Sequence, residues 1–528
     1  MKYRSRLVLP AALIVVLALA MPVWLAAQEH GTEHRHYKLI DLGTLGGTHS
    51  YGSVNGDGFQ LLNNAGEVAS YADTSAADPN APDSCFDPPG CLLGHAFRWK
   101  DGVMTDLGAL SGVNNSAAGS VNARGWITGQ SQNGLLNPDT GSPEIRAVLW
   151  KPGQIQDLGT LGGHTFAIGI YVNDSGQVVG ISDNAVPDPF SVFGIGVQLR
   201  TFLWQDGVIK DIGTLGGPDA LPGASCSGQP RDVIVGASYT SSTPNASTGI
   251  PTIDPFLWKN GTMIDLGTLG GAIGFAQCAN HHGQIIGASS LASNPGACPP
   301  VAAGPGCHAF FWEDGALTDL GTLGGDNSEA IWLNEAGDVA GSADLAGSAF
   351  HHAVFWRHGA IHDLGTVARD PCSRGRGINS RGQVVGGSSD CVNFLHAFFW
   401  EEGGPMVDLN TLIPAGSGLQ LTNAININDR GEILAKSDPL GVTPVDDLDL
   451  GHLVLLIPCE AGDDEEGCGG SAEAAASTAL RSAASVSNLP PKVPLAQGPL
   501  TPHDSAAAWR TRLARHYHLP VVEAPKNQ

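Results

Sequence analysis

Apolar residues along this chain come in short runs rich in Val, Ile, Phe and Trp, each bounded by Gly, Asn or Asp. That is the pattern of β-strands separated by tight turns. Four such runs recur in a fixed order. Strand A ends in Asn, as in Ala330-Ile331-Trp332-Leu333-Asn334. Strand B reads Gly-Gln-Val-Val-Gly, as from Gly176 to Ser182 and from Gly382 to Ser388. Strand C reads His-Ala-Phe-X-Trp, as from His95 to Trp99, from His308 to Trp312 and from His396 to Trp400. Strand D crosses a Gly turn and enters Asp-Leu-Gly-Thr-Leu-Gly-Gly, first seen from Asp41 to Gly47. The Asp of this last motif returns at 106, 157, 211, 265, 319, 363 and 408, a period of about 52 residues that fits a propeller blade or a similar stacked unit.

A four-stranded sheet with two apolar faces must stack on a neighbour, so the repeats form either an open pile or a ring. The ends of the repeat decide between them. Tyr37 to Asp41 is a strand D with no A, B or C before it, whereas residues 421–437 and His452 to Leu456 supply A, B and C with no D after them. A ring closes when the first strand completes the last sheet and removes an exposed edge. The expectation is an all-β, eight-bladed β-propeller over residues 37–458.

The one long apolar run lies elsewhere. Lys2, Arg4 and Arg6 precede Leu7 to Ala27, which ends in small residues, so residues 1–27 read as a signal peptide cleaved before Gln28. Its length would also span a bilayer as an uncleaved anchor. The mature protein is expected to be secreted or periplasmic, with residues 28–36 a flexible His-rich arm. In an oxidising compartment ten cysteines favour disulfides over metal ligation. Local pairs follow in chain order: Cys85 with Cys91, Cys298 with Cys307, Cys372 with Cys391, and Cys459 with Cys468. Cys226 and Cys278 remain, at nearly equivalent positions of adjacent repeats.

Composition narrows the function. Of 528 residues, 71 are Gly and 34 Pro, which disfavours a helical bundle. Lys+Arg 27 against Asp+Glu 51 gives a net charge of -24; a nucleic-acid partner would need a cationic face and is not expected. The His-Ala-Phe, Asp-Leu-Gly-Thr-Leu-Gly-Gly and Gly-Gln-Val-Val-Gly motifs together resemble the HAF family of probable extracellular repeat proteins over about four fifths of the chain. The resemblance implies export and a repeated β architecture, and no defined catalytic residue. Arg146, Arg200 and Asp254 replace the His of strand C, Leu456 replaces a Trp, and Gly228 stands in blade 4 where most others have Asn.

The recurrent residues read as structural. Each motif Asp is expected to accept N–H bonds from its own Gly-Thr turn, and the seven Trp at 99, 150, 204, 258, 312, 356 and 400 to pack between blades, as Tyr171 and Trp332 do on inner strands. His351, His352, His358 and His362 do not form a metal site, since six residues of strand separate 352 from 358 by about 20 Å. His30, His34 and His36 on the arm are at most an adventitious metal site. Neither metal nor cofactor is expected, and the local motifs of hydrolases, zinc proteases and nucleotide-binding enzymes are absent.

The repeat breaks its own pattern on one side. Blades 1 to 5 carry long insertions between strands B and C, blade 6 a short link and blade 7 a modest one. These loops emerge beside the D-to-A connections, and rigid scaffolds concentrate binding on such loops. The candidate ligand residues on this face are His164, Phe166, Phe190, Phe193, Asp326, Asn327, Arg374 and Arg376. After the ring, residues 459–528 are a low-complexity tail, Ala/Ser/Pro-rich over 469–503 and expected to be disordered there. A helix is possible over 504–518, with Trp509, Leu513 and Tyr517 near one face and Arg510, Arg512 and Arg515 around it. The reading is a secreted, non-enzymatic protein that recognises an extracellular glycan or peptide through the loop face. Alternatives are a glycoside hydrolase or lyase, which calls for a close acidic pair at the central opening, and a structural envelope or matrix component.

Overall fold

In the computed structural model the described residues are 36–458, except 53–57, 82–90, 139–140, 165, 192–194, 227, 229, 297, 299–305 and 442–450, together with Cys459 and Cys468. The expected signal peptide, most of the arm, and the tail after Cys468, where a helix is expected over 504–518, lie outside them. Among the described residues no helix is long and apolar enough to cross a membrane.

The chain is an eight-bladed β-propeller. Seven blades run in sequence order, A to D, over residues 46–106, 116–157, 167–211, 220–265, 270–319, 324–365 and 372–408. The eighth takes Leu419–Ile427, Ile433–Pro439 and His452–Pro458 from one end of the ring and Tyr37–Asp41 from the other. Closure is antiparallel over the whole first strand, from Tyr37 opposite Pro458 to Asp41 opposite Val454. Blades 4 and 5 are further joined by a parallel bridge from Ile253 to Ile273.

The local sequence explains the blade. Strand A slips register against strand B in every blade but the fourth, for instance between Ala118 and Ser120, Gly169 and Tyr171, or Ala330 and Trp332. A bulge of this kind pushes the A backbone against strand B. The last Gly of the Gly-Gln-Val-Val-Gly strand sits under it: a Cβ at Gly180 would lie 2.1 Å from the Ile168 carbonyl oxygen, and one at Gly287 2.0 Å from that of Phe275. Only glycine fits there. Between blades the core is apolar, with the strand C residues Phe97, Phe202, Phe256, Phe310 and Phe398 fully buried. Trp99, Trp150, Trp204, Trp258 and Trp356 are buried too, while Trp312 and Trp400 are half-buried; Tyr171 and Trp332 are core residues.

The Asn that ends strand A does two things at once. Its side-chain oxygen accepts two N–H groups of its own A-to-B turn, as Asn334 does from Ala336 (3.0 Å) and Asp338 (2.9 Å). Its side-chain nitrogen donates to the backbone carbonyl of the corresponding Asn in the next blade. The series runs Asn63 to Asn122 and Asn122 to Asn173 (2.9 Å each), then Asn280 to Asn334 (3.1 Å), Asn334 to Asn379 (3.0 Å), Asn379 to Asn428 (3.1 Å) and Asn428 back to Asn63 (3.0 Å). All these residues are buried.

The relay is interrupted at blade 4, where Gly228 replaces the Asn. Other bonds span the gap. Gln177 of blade 3 and Asp232 of blade 4 exchange two hydrogen bonds, Gln177 Nε2 to Asp232 Oδ1 (2.6 Å) and Asp232 N to Gln177 Oε1 (3.1 Å). A disulfide from Cys226 to Cys278 then ties blade 4 to blade 5. The bonds Cys298–Cys307, Cys372–Cys391 and Cys459–Cys468 are also present. Cys91 is disulfide-bonded; its expected partner Cys85 lies outside the described residues.

Removing one relay amide strands a buried carbonyl and two turn N–H groups. Asn379→Ala is expected to lower unfolding free energy by about 2–4 kcal/mol, whereas Asn64→Ala, at an exposed pair with Asp429 (2.7 Å), should change it by less than about 0.5 kcal/mol. Urea unfolding of the two variants beside the parent checks this.

Candidate functional site

Propellers commonly open along their axis, and here the axis is filled. In blade 1 the chain between strands A and B is longer than in its neighbours, and residues 58–62 cross the centre. Gly58 O accepts from Cys226 N of blade 4 (3.0 Å), Gln60 O accepts from Val121 N of blade 2 (2.9 Å), and Gln60 N donates to Ser225 Oγ (3.1 Å). From blade 8, Asn426 accepts from Leu61 N (2.7 Å) and donates to Phe59 O (3.1 Å). A Cβ on Gly58 would come within 3.2 Å of the Ile331 carbonyl of blade 6. Phe59 is 6% exposed and packs in the cluster that holds Ile170, Tyr171 and Ala224.

The two faces of the disc differ. The A-to-B turns carry the asparagine relay. The opposite face carries the B-to-C and D-to-A loops, and it is stepped. In blades 1 to 4 strand B runs out to Ala77, Leu136, Pro187 and Pro244 and forms protruding hairpins with strand C. Their turns are closed by Asp78, Asp188 and Asn245, which accept from Asn80, Phe190 and Ser247 (2.8, 2.9 and 2.8 Å). In blades 6 and 7 strand B stops at Leu345 and Ser389, and strand C restarts at His351 and Phe394. A wall of hairpins therefore borders a low floor. Large apolar side chains stand in solvent on this face: Val113, Leu135, Leu136, Val186, Phe350, Val392 and Leu440, against Val103, Val208 and Ile264 elsewhere among the described residues. Between the loops of blades 1 and 2, Asn80, Val113, Asn114, Asn133 and Leu135 line a groove of about 530 Å³ without a charged group.

The floor holds a cluster of polar side chains on inner strands. Arg374 of blade 7 pairs with Glu329 of blade 6 at 2.6 Å, both partly exposed. Asn327 donates to Asp344 (2.9 Å) and accepts from Gly306 N and Cys307 N (3.0 and 3.1 Å). Burial pushes the Asp344 carboxyl up. His351 starts strand C beside them; burial, with the nearby Arg374 guanidinium, holds its imidazole below the usual histidine range. The floor thus presents a guanidinium, carboxylates, an amide and a neutral imidazole, a set that can donate to and accept from hydroxyls, amides or chain termini.

Of the sequence-derived candidates, Asp326, Asn327 and Arg374 meet on this floor. Arg376, two residues along the same strand, lies over the Phe394 ring at 4.8 Å. His164 is exposed in the loop before blade 3. Phe190 is half-buried in the blade 3 hairpin turn, its carbonyl accepting from Tyr239 Oη (3.0 Å). Phe166 is a correction: it is 1% exposed and packs in the core with Ile168 and Ile170, because it sits immediately before strand A, bridged to Ile145 of blade 2. Phe193 lies outside the described residues. Glu329, Asp344 and His351 were not singled out as ligand residues. They belong to irregular positions of the repeat and come together only across blades.

A second set of side chains sits on the same face at the outer strands. The motif Asp accepts from its turn, as Asp41 does from Gly43 N and Asp319 from Gly321 N (2.8 Å each). It also meets the strand C histidine: His95 with Asp106 and His308 with Asp319 at 2.9 Å, His352 with Asp363 at 2.8 Å, His452 with Asp41 at 3.0 Å. Hydrogen bonding to the carboxylate raises the pKa of His308 and His452. Burial alone would raise the carboxyls of Asp41, Asp106 and Asp319, yet the His and Gly N–H bonds together bring them below their ordinary value. His396 departs from the scheme and bonds Asp370 (2.8 Å). In blade 4 the position belongs to Asp254, facing Asp265. Burial and the second carboxylate push Asp254 up to about 6. This acidic pair lies on outer strands C and D, away from the filled axis. Among the described residues no group of three or more His, Cys, Asp or Glu is placed to hold a metal ion.

No protein-family model matches the chain, and no curated protein matches it. Solved structures similar to it include a puromycin-hydrolyzing peptidase of Mycobacterium tuberculosis (11% identity over 77% of this chain and 63% of that one, TM-score 0.38). Another is dipeptidyl peptidase 4 of Porphyromonas gingivalis (10% identity, 76% and 61%, TM-score 0.42). A third is a PL25 polysaccharide lyase, an ulvan lyase (9% identity, 83% and 99%, TM-score 0.34). The chain spans a little over 60% of the length of the two peptidases. The propeller is thus similar to several enzymes that act on peptides or polysaccharides, at very low identity.

The Asp254 pair sets a pH dependence of stability. With a folded pKa of about 6 against an ordinary 3.8, the folded chain holds a proton in that window that the unfolded chain releases. This group therefore adds stability as pH falls from about 6 towards 4, and its ionised form opposes folding above 6. Asp254→Asn is expected to melt roughly 1–3 °C higher than the parent at neutral pH, with the difference shrinking near pH 4. Calorimetry across that range checks it.

Proposed function

We propose that this chain is an extracellular recognition protein of the HAF-repeat kind, which binds a glycan or a peptide through the floor of its loop face. The observation that carries this reading is the asymmetry of the disc. One face is closed by buried amide bonds from blade to blade. The other gathers most of the exposed apolar side chains, a wall of hairpins and the Glu329–Arg374 pair. Exposed apolar groups beside a few convergent polar ones are what a recognition surface requires.

Geometry favours binding over catalysis. A propeller hydrolase or lyase of the kind considered from the sequence needs paired acids where substrate enters the centre. Phe59 occupies that centre, and the close carboxyl pair, Asp254 with Asp265, sits on the periphery. Export of the chain, implied by its leader, belongs to the same proposal and agrees with four cystines in the described residues.

The test is a glycan, cell-wall and peptide array probed with the full mature chain and with Arg374→Ala and Glu329→Gln variants. Loss of a charged hydrogen bond corresponds to an affinity about 10- to 100-fold weaker, so each variant should lose the signal that the parent gives. A parent that binds nothing, or variants that bind like the parent, would sink the proposal and favour a structural role in an envelope or matrix. Turnover of a bound polysaccharide or peptide would favour the enzymatic reading.

A further inference from the structure

The residue four places after each strand A asparagine ends the A-to-B turn on the relay face. Blade 2 carries Trp126 there, where the other blades with the asparagine carry Glu67, Gln177, Gln284, Asp338, Gln383 and Glu432. Where strand C ends in a cation, the acidic residue at this place neutralises it. Lys100, which follows Trp99, donates to Glu67 (2.5 Å), and Arg357, which follows Trp356, donates twice to Asp338 (2.8 Å each).

In blade 2 the cation meets an indole instead. Lys151, which follows Trp150, has its Nζ 4.1 Å from the centre of the Trp126 ring, and Arg124 of the same turn lies over that ring at 5.6 Å. The ring itself is held in place. Trp126 N donates to Asn122 Oδ1 (2.9 Å), and the ring sits so close to the next blade that a Cβ on Gly176 would come within 2.6 Å of it. Among the described residues no carboxylate pairs with Arg124 or Lys151. Two carboxylates border the site, and both are engaged: Glu67, against Gly125, with Arg98 and Lys100, and Asp174 with Ala123 N (2.8 Å). An aromatic face attracts a cation without cancelling its charge, so two positive charges stand uncompensated on a chain of net charge -24. Arg124 is exposed, and Lys151 and Trp126 are half-buried, so a ligand can reach the cations and the ring together.

A guanidinium presents a planar fork to two oxygens and an ammonium a point charge beside it, a set that suits one carboxylate or sulfate. The indole adds a flat apolar neighbour for the C–H face of a sugar ring. A nucleic acid is a poor match, because it needs a long cationic track and the acidic remainder of the chain repels it. We propose that Arg124, Trp126 and Lys151 form a second binding site, on the relay face at blades 2 and 3, for an oligosaccharide that carries a carboxylate or a sulfate. The site lies on the opposite side of the disc from the loop-face floor and does not depend on the reading of that floor.

Calorimetric titration of the full mature chain tests it with a galacturonic acid trimer, a sulfated galactose trimer and the uncharged galactose trimer. The parent should bind one or both acidic probes about tenfold or more tightly than the neutral one, and added salt should weaken that binding. Which acidic probe binds tells carboxylate from sulfate. Arg124→Gln and Lys151→Gln should each weaken binding about tenfold, and Trp126→Gln, which gives blade 2 the residue of blades 3, 5 and 7, should weaken it as well. Arg381→Gln removes an equal charge at the corresponding turn of blade 7 and should bind like the parent, as should Arg374→Ala on the loop face. A parent that binds neither acidic probe or binds all three alike overturns the proposal. So do Arg124→Gln and Lys151→Gln variants that bind like the parent, and an Arg381→Gln variant weakened as much as they are. Loss in Arg374→Ala alone would place the sugar on the loop-face floor and overturn this site while upholding that one.

Discussion

One side-chain amide, present in every blade but the fourth, governs how this ring is held. Except at Asn173, which faces the break, each strand A asparagine closes its own turn through oxygen and reaches the next blade through nitrogen, so turn geometry and blade spacing cannot vary independently. Apolar contacts between blades are stronger in sum but non-directional. They would accept small rotations of one sheet over another, whereas a buried amide bond is costly to leave unmade. The relay therefore fixes the angle at which the packed sheets meet. Where blade 4 lacks the asparagine, a reciprocal Gln177–Asp232 contact and the Cys226–Cys278 bond appear on either side of it. The substitutes thus occupy both seams of blade 4, and the seam to blade 5 is also the one at which Ile253 and Ile273 join two blades into one sheet.

The face opposite the relay is free to vary because little of the framework depends on it. Hairpins lengthen there, inner strands exchange small residues for charged ones, and the outer His–Asp pairs anchor the turns from which the loops spring. The Asp254 substitution illustrates the tolerance: two carboxyls meet where a histidine or arginine usually stands opposite the carboxylate, and the ring accommodates them with the Asp254 pKa pushed up to about 6.

Much of this was legible in the sequence because a repeat states each local requirement several times. The glycine of strand B, the Asp beside its turn and the orphaned first strand each announce a position that one geometry satisfies. The Cys226–Cys278 bond could be read as well, from equivalent places one repeat apart. The His–Asp pairing was legible in principle, since 95 and 106, 308 and 319, and 352 and 363 share a constant offset across the C-to-D hairpin. It was missed because the turn N–H bond already gave the aspartate a sufficient role. What could not be read is everything that crosses blades irregularly. Phe59 fills an axis formed by strands far away in sequence, Phe166 turns inward at a loop edge, and Glu329 meets Arg374 only after two sheets are set side by side.

The shared last blade bears on how the ring comes together. Tyr37 finds its partner at Pro458, roughly 420 residues later, and the entropic cost of closing so long a loop grows only logarithmically with its length. The penalty to final stability is therefore modest. The delay is not: seven sheets can stack on their neighbours as they emerge, while the first strand waits for the end of the ring to be made, so closure is a late and slow event governed by long-range pairing. Until then two sheet edges stand open side by side. The relay bond from Asn428 to Asn63 spans the same point of closure, so the strand ladder and the amide relay both depend on that final meeting of the two ends.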